Sequence, residues 1–169
     1  MENTPTQQKL PGWTWLAPLP LIMVFDFISL PFQYSVTTSF YLTASISLVL
    51  VHWWGPLRVL PAVFIVNTYN NYFYGIENIA LWPLFGLTDT LSVFSSWFLF
   101  THLYKGKYYL PDTRNTSVFA IFGLLIPILI SVLAWQLLYV ADDKLLPENI
   151  LWQFSRDLLG ELIVHGILV

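Results

Sequence analysis

The chain has 169 residues, of which 56% are hydrophobic and only 10% are charged. Soluble proteins carry about 25% charged residues, and a soluble domain of this length could not bury so much apolar surface. There is no cysteine, which excludes disulfides, thiolate metal sites and cysteine nucleophiles. With an isoelectric point near 5.4 and one short basic loop, we expect no nucleic-acid partner.

Six apolar stretches are long enough, or nearly so, to cross a hydrocarbon layer about 30 Å thick, which takes about 20 helical residues. They are continuous in Leu, Ile, Val and Phe, whereas β-barrel strands alternate. The sequence therefore predicts an all-α integral membrane protein with six transmembrane helices. The predicted segments cover residues 13–32, 34–53, 57–74, 79–104, 116–140 and 149–169.

The basic residues predict which way these helices run. Lys144 lies alone on one side of the apolar segments, beside three acidic residues. Five basic residues flank the other side, namely Lys9, Arg58, Lys105, Lys107 and Arg114. Because Lys and Arg are enriched in short cytoplasmic loops, we expect residues 1–12 to form a cytoplasmic tail and residues 13–169 one membrane domain.

Polar residues concentrate in the outward half of the predicted helices. At about 1.5 Å per residue, Asp26 lies near the outer end of the first segment and Asp89 near the middle of the fourth. Ionisable groups at such depth cost about 2.5 to 3.5 kcal/mol each unless they face the bundle interior, a partner or water. We therefore predict a polar cavity that opens outward and binds a small ligand. Its candidate lining residues are Asp26, Asn67, Asn70, Asn71, Asp89, Asp157 and Glu161.

Motifs of known catalysts are missing from the sequence. It contains no Gly-rich phosphate loop, no HExxH and no GxSxG. We expect no catalytic residues, no metal and no cofactor in this chain. Its three histidines, His52, His102 and His165, lie near predicted cytoplasmic helix ends, and snorkelling explains them better than a metal or haem site.

A series of loose motifs begins near Ser39. An aromatic start, a Gly and basic turn, a Pro-led helix and an Asn-containing end are represented by Phe40, Gly55, Arg58, Pro61 and Asn67 to Asn71. They are followed by Asp89 in the fourth helix, Pro127 in the fifth, and Trp152, Asp157 and Gly160 in the sixth. This order resembles the membrane-associated sensor domain of the first MASE class, an N-terminal module of bacterial histidine kinases and diguanylate cyclases.

The resemblance implies a sensory input domain in the bacterial inner membrane. Such a domain perceives an external or membrane-borne cue and passes a helix displacement to a cytoplasmic kinase or cyclase domain. It also implies a homodimer, with Asp89 and Asp157 as the main cue-binding residues. The family continues to about eight helices, whereas this chain stops at Val169 in mid-helix. We therefore expect a piece of a longer bundle.

Two other functions remain open at this point. A six-helix substrate-capture component of a small-solute uptake transporter would have a similar length and an outward pocket. An envelope scaffold would use the same polar residues only to join helices through hydrogen bonds, as polar side chains in membrane bundles commonly do.

Overall fold

The computed structural model describes residues 10–33, 42–73, 76–105, 112–141, 151–152, 154–155 and 157–159. All regular structure within these ranges is helical, which confirms the all-α prediction. The α-helices are α1 (Pro18–Gln33), α2 (Leu42–Trp54), α3 (Pro56–Asn70), α4 (Trp82–Trp97), α5 (Thr113–Val118) and α6 (Ile126–Ala141). The described residues between 151 and 159 are helical too, and we call them the C-terminal segment.

Two predicted boundaries differ from the structure by four or five residues. The first helix begins at Pro18 instead of residue 13, because Gly12–Trp15 forms a 3-10 turn. The Thr14 hydroxyl closes this turn by donating to the Pro11 carbonyl over 2.7 Å. The third helix ends at Asn70 instead of residue 74, where polar groups take over the hydrogen bonds that another helical turn would have made.

Two stretches of π-helix continue the α-helices. Phe98–Leu103 extends α4, and Phe119–Leu125 joins α5 to α6. With the second stretch, α5 and α6 form a single helix of 29 residues, Thr113–Ala141, which contains the whole of the predicted segment 116–140. π-Helical turns are rare within α-helices and are frequent at functional sites.

Aromatic contacts show that the ends of several helices meet at one end of the bundle. The rings of Trp13, before α1, and Trp54, at the end of α2, are 5.4 Å apart. The His52 ring near the same end of α2 lies 5.4 Å from Phe100 and 5.3 Å from Phe119. We call this end, which holds Trp13 and Trp54, the tryptophan end.

The opposite end of the bundle is marked by Asn70 and Asn71, and we call it the asparagine end. Here the ring centres of Phe27 in α1 and Phe73, just after α3, are 6.1 Å apart. The ring centres of Tyr72 and Trp82, the first residue of α4, are 6.3 Å apart. Consecutive helices from α1 to α6 therefore run in alternating directions, with α5 and α6 as one helix.

The turn between α2 and α3 is a single residue, Gly55, at the tryptophan end. Its φ of +83° lies in the region that favours glycine. Pro56 follows at the first position of α3, where the missing N–H leaves no helical bond unmade. This tight turn fixes α2 and α3 as antiparallel neighbours.

The interior of the bundle is divided between apolar and polar contacts. An apolar cluster fills the part nearer the tryptophan end, with Ile22, Leu48, Leu50, Val51, Val59, Ala62, Val63, Val66 and Val93. The buried carboxylates and amides of α1, α3 and α4 lie nearer the asparagine end. A site built on these carboxylates and amides is therefore in that half.

Candidate functional site

Four helices enclose a small polar cavity in the asparagine half of the bundle. α3 contributes Asn67, α4 contributes Asp89 and Ser92, and α6 contributes Ser131 and Trp135. Apolar side chains, among them those of α2, complete the wall. The cavity volume is about 20 Å³. A water molecule needs about 10 to 15 Å³ and two to four polar partners, so the cavity has room for about one.

Asp89 is the one carboxylate among the described residues that line this cavity. Its side chain is only 6% exposed, and its Oδ1 accepts a long hydrogen bond of 3.4 Å from the Ser131 hydroxyl. A buried carboxylate requires hydrogen-bond donors or charge partners. A molecule entering the cavity would meet the Asp89 carboxylate and the Asn67 amide on facing helices.

Below the cavity, two serine hydroxyls of α4 bind the backbone of the neighbouring helix. Ser92 donates to the Pro127 carbonyl over 3.0 Å, and Ser96 donates to the Gly123 carbonyl. Proline has no N–H, so Pro127 cannot donate to the carbonyl of Gly123, four residues earlier. The Ser96 hydroxyl gives the Gly123 carbonyl a hydrogen bond from the neighbouring helix α4.

These contacts form a continuous line along α4. Positions 89, 92 and 96 lie on one face because helical residues three and four apart are neighbours. They meet positions 131, 127 and 123 of the facing helix in order. We call this line the polar seam, and it consists of the pairs Asp89–Ser131, Ser92–Pro127 and Ser96–Gly123.

The polar seam ends at a histidine surrounded by aromatic rings. The Nε2 of His52 lies 3.2 Å from the Ser96 hydroxyl oxygen, within hydrogen-bond distance. The rings of Phe100 and Phe119, which pack against His52, are 4.9 Å apart. Since Phe100 and Phe119 belong to the two π-helical stretches, the seam connects the cavity to the point where these stretches meet.

Asp26 is buried away from the cavity. Its Oδ1 accepts a hydrogen bond of 2.9 Å from the Thr43 hydroxyl, which ties α1 to the beginning of α2. Its side chain is buried in the interior of the bundle. Asp26 is not among the described residues that line the cavity with Asp89.

The two asparagines at the end of α3 occupy different environments from Asn67. The Asn71 amide donates to the carbonyls of Asn67 at 2.8 Å and of Trp82 at 3.3 Å, so it joins the end of α3 to the start of α4. Asn70 is 7% exposed, and its side-chain nitrogen has no hydrogen-bond partner within the described ranges. Asn71 therefore forms a corner of the fold and, like Asn70, is not one of the described lining residues.

Asp157 in the C-terminal segment is also buried, with another partner. Its Oδ2 accepts a hydrogen bond of 2.8 Å from the Gln136 amide of α6. Glu161 lies outside the described residues. The structure thus brings Asn67 and Asp89 together in one cavity, and it places Asp26, Asn71 and Asp157 in three separate interhelical contacts.

Ser92 and Ser96 were not among the predicted site residues. Serine is small and uncharged, so it hardly lowers the hydropathy of an apolar segment. Their spacing of three and seven residues from Asp89 was the available signal, since it places all three on one helix face. Trp135 was missed as well, because nothing in its local sequence distinguishes a cavity wall from an interfacial anchor.

The described residues contain no group of three His, Asp or Glu side chains placed to hold a metal ion. Comparison of the chain with protein-family models, with curated proteins and with solved structures gives no match. The resemblance to the MASE sensor domain therefore remains a prediction.

Proposed function

We propose that the chain is the membrane-embedded input domain of a signalling protein, and that its cue acts at the cavity of Asn67 and Asp89. The observation that carries this proposal is a buried carboxylate in a cavity whose wall comes from four helices. An occupant that binds Asp89 contacts several helices at once. It can therefore favour one arrangement of the helices over another by its differential affinity for the two.

The distribution of side chains supports the membrane location. Aspartate, asparagine and serine side chains are buried, while large apolar side chains such as Leu87, Leu91 and Leu133 are exposed on the bundle surface. In water the exposed apolar surface would be unfavourable, because apolar patches of this extent are rare on soluble proteins. Lipid is the solvent that suits such a surface.

Helix length gives more limited support. Among the described helices, Thr113–Ala141 alone is long and apolar enough to cross a membrane by length and composition. Its 29 residues correspond to about 44 Å of helix. The described apolar helices Pro18–Ser29 and Leu42–Trp54 are shorter. Six spans, with helices α1 to α4 and the C-terminal segment also crossing the bilayer, are part of the proposal.

The tryptophan end has the composition expected of a cytoplasmic membrane interface. Trp13 and Trp15 are more than half exposed, and the Arg58 guanidinium lies 5.3 Å from the Trp15 ring. Lys105 and Arg114 flank the two π-helical stretches at this same end. Because tryptophan prefers membrane interfaces and short cytoplasmic loops are rich in Lys and Arg, we place the tryptophan end on the cytoplasmic side.

The size of the cavity favours an input domain over a capture component. A capture component must enclose its solute, whereas about 20 Å³ holds about one water molecule. An input domain needs only a small change in occupancy or hydrogen bonding at Asp89 that alters helix positions. A cytoplasmic kinase or cyclase partner domain and a homodimeric state complete the proposal, and both rest on the family resemblance.

The test joins the full chain at Val169 to a diguanylate cyclase domain and measures cyclic di-GMP in bacterial cells. We expect Asp89→Asn to change the output at least about threefold, which corresponds to about 0.7 kcal/mol between two states. The matched control is Asp112→Asn, an exposed aspartate at the start of α5. Equal output from the parent, Asp89→Asn and the control, at equal amounts of membrane-inserted protein, would count against the input function.

A further inference from the structure

We infer that the π-helical stretch Phe119–Leu125 and Pro127 form a hinge within the helix Thr113–Ala141, and that the polar seam sets the hinge according to the state of the cavity. The signal direction, from cavity to tryptophan end, rests on the function proposed above. The hinge itself does not require that function.

The backbone hydrogen bonds of the long helix are interrupted at this place. Pro127 removes one helical donor, and the Gly123 carbonyl accepts a hydrogen bond from Ser96 of another helix. The preceding stretch is π-helical, so its carbonyls bond one residue further along than in an α-helix. Prolines and π-helical turns are among the few identified causes of sharp helix kinks. The helix is therefore weakest in its own hydrogen bonds between residues 119 and 127.

The interrupted segment is held from outside by two side chains of α4. Ser92 and Ser96 are one helical turn apart and bind the Pro127 and Gly123 carbonyls respectively. Ser92 also lines the cavity together with Asp89 and Ser131. A cue that changes the Asp89–Ser131 contact therefore acts on the same helix faces that hold the hinge.

A second π-helical stretch faces the first one at the tryptophan end. Phe100 packs edge-on against Phe119 with ring centres 4.9 Å apart, and the rings of Tyr104 and Phe122 are stacked at 3.7 Å. A displacement of residues 119–125 therefore pushes directly on the end of α4. The stretch that extends α4 lies next to Lys105 and the stretch that follows α5 lies next to Arg114 of α5, and the proposed topology places both basic residues on the cytoplasmic side.

The expected size of the motion follows from helix geometry. Converting one π-helical turn to α-helix moves one residue out of the turn. One residue of helix corresponds to about 100° of rotation and about 1.5 Å of rise. The part of the helix before the hinge therefore turns relative to the part after Pro127, while Ser131 and the cavity wall keep their positions.

The absence of cysteine from the chain makes the hinge measurable. Ser117 and Leu137 are exposed on either side of the hinge, 20 residues or about 30 Å apart along the helix. Spin labels on Ser117→Cys and Leu137→Cys report this distance by pulsed EPR in lipid nanodiscs. A reference pair, Val24→Cys and Leu137→Cys, reports the position of α6 against α1.

We expect the double variant Ser92→Ala, Ser96→Ala to shift or broaden the distribution of distances between the labels at positions 117 and 137 by at least about 1.5 Å. Pro127→Ala restores an N–H that can bond within the helix, so it narrows the same distribution. Matched controls are Ser95→Ala, whose hydroxyl bonds only to the Ser92 carbonyl of its own helix, and Pro61→Ala in α3. The reference pair should stay unchanged in all variants.

If the proposed signal path exists, Asp89→Asn also shifts the distance between positions 117 and 137. Identical distributions in the parent, the double serine variant and Pro127→Ala would overturn the hinge, and equal shifts in both label pairs would show a rigid-body movement instead. A hinge that moves in the serine variant, combined with unchanged cyclase output in Asp89→Asn, would reject the input function but not the hinge. Unchanged distances between positions 117 and 137 in the serine and proline variants, combined with altered cyclase output in Asp89→Asn, would reject the hinge alone.

Discussion

Gly86 allows α3 and α4 to approach closely, and its replacement by alanine tests this packing. A Cβ atom at this position would lie 3.0 Å from the Phe64 carbonyl oxygen and 3.1 Å from the Thr68 nitrogen, whereas ordinary contacts begin at 3.4 Å. Both atoms belong to the α3 backbone and cannot rotate away, so the helices must separate by a few tenths of an ångström. Overpacking of this kind costs about 1 to 3 kcal/mol. Small residues at membrane helix contacts serve this close approach.

For a chain of 150 to 250 residues, each kcal/mol lowers the melting temperature by about 2 to 4 °C, so Gly86→Ala should melt roughly 2 to 12 °C below the parent. Tryptophan fluorescence of the protein in lipid nanodiscs gives the melting curve. Gly12→Ala is the matched control, because a Cβ there meets nothing within 4 Å. Equal melting temperatures for Gly86→Ala and Gly12→Ala would refute the close approach of α3 and α4.

Two further predictions concern hydrogen bonds at helix starts. Thr43→Val removes the hydroxyl that donates to the buried Asp26 carboxylate and should cost about 1.5 to 3 kcal/mol. Thr88→Val, which loses only a bond within its own helix, should keep the parent's melting temperature, and equal loss in both variants would contradict the role of Asp26. The backbone N–H of Asn115 donates to the exposed Asp112 carboxylate, and this hydrogen bond lowers the pKa of Asp112. Asp112 therefore caps α5 fully above the ordinary aspartate pKa. The cap is lost as the pH falls through the lowered pKa of Asp112. Hydrogen-exchange protection of residues 113–117 should therefore decrease at acid pH in the parent and should not change with pH in Asp112→Ala. A decrease at acid pH in both proteins would contradict capping by Asp112.

The helices themselves were largely predictable from the sequence because continuous apolar runs leave few alternatives. The run 116–140 predicted the helix Thr113–Ala141 within three residues at its start and one at its end. The start of α1 was not predictable in this way. Trp13 and Trp15 are apolar enough to belong to a span, and the composition does not show that the Thr14 and Leu16 N–H groups bond to carbonyls three residues earlier, as in a 3-10 turn.

The position of each site residue along its helix could be predicted, but the direction of its side chain could not. Distance along a helix is fixed at about 1.5 Å per residue, so Asn67 could be placed in the outer half of its segment and Asp89 near the middle of its own. Which neighbour a side chain faces depends on how the helices are arranged around the bundle. α1 packs on α2 and α3, which gives Asp26 the Thr43 hydroxyl as a partner. Asp157 meets Gln136 instead, and neither pairing can be obtained from depth.

The division of the bundle interior explains where a cue could act and where its effect could appear. Apolar packing near Val51, Val59 and Val63 depends on shape, and moving such side chains apart leaves voids that cost free energy. Hydrogen bonds from hydroxyls to carbonyls can be exchanged for bonds to water or to another polar group at little net loss. The polar seam is the one described path of such exchangeable contacts between the cavity and His52. A displacement that starts at Asp89 therefore travels along α4 and the hinge more easily than through the apolar cluster beside them.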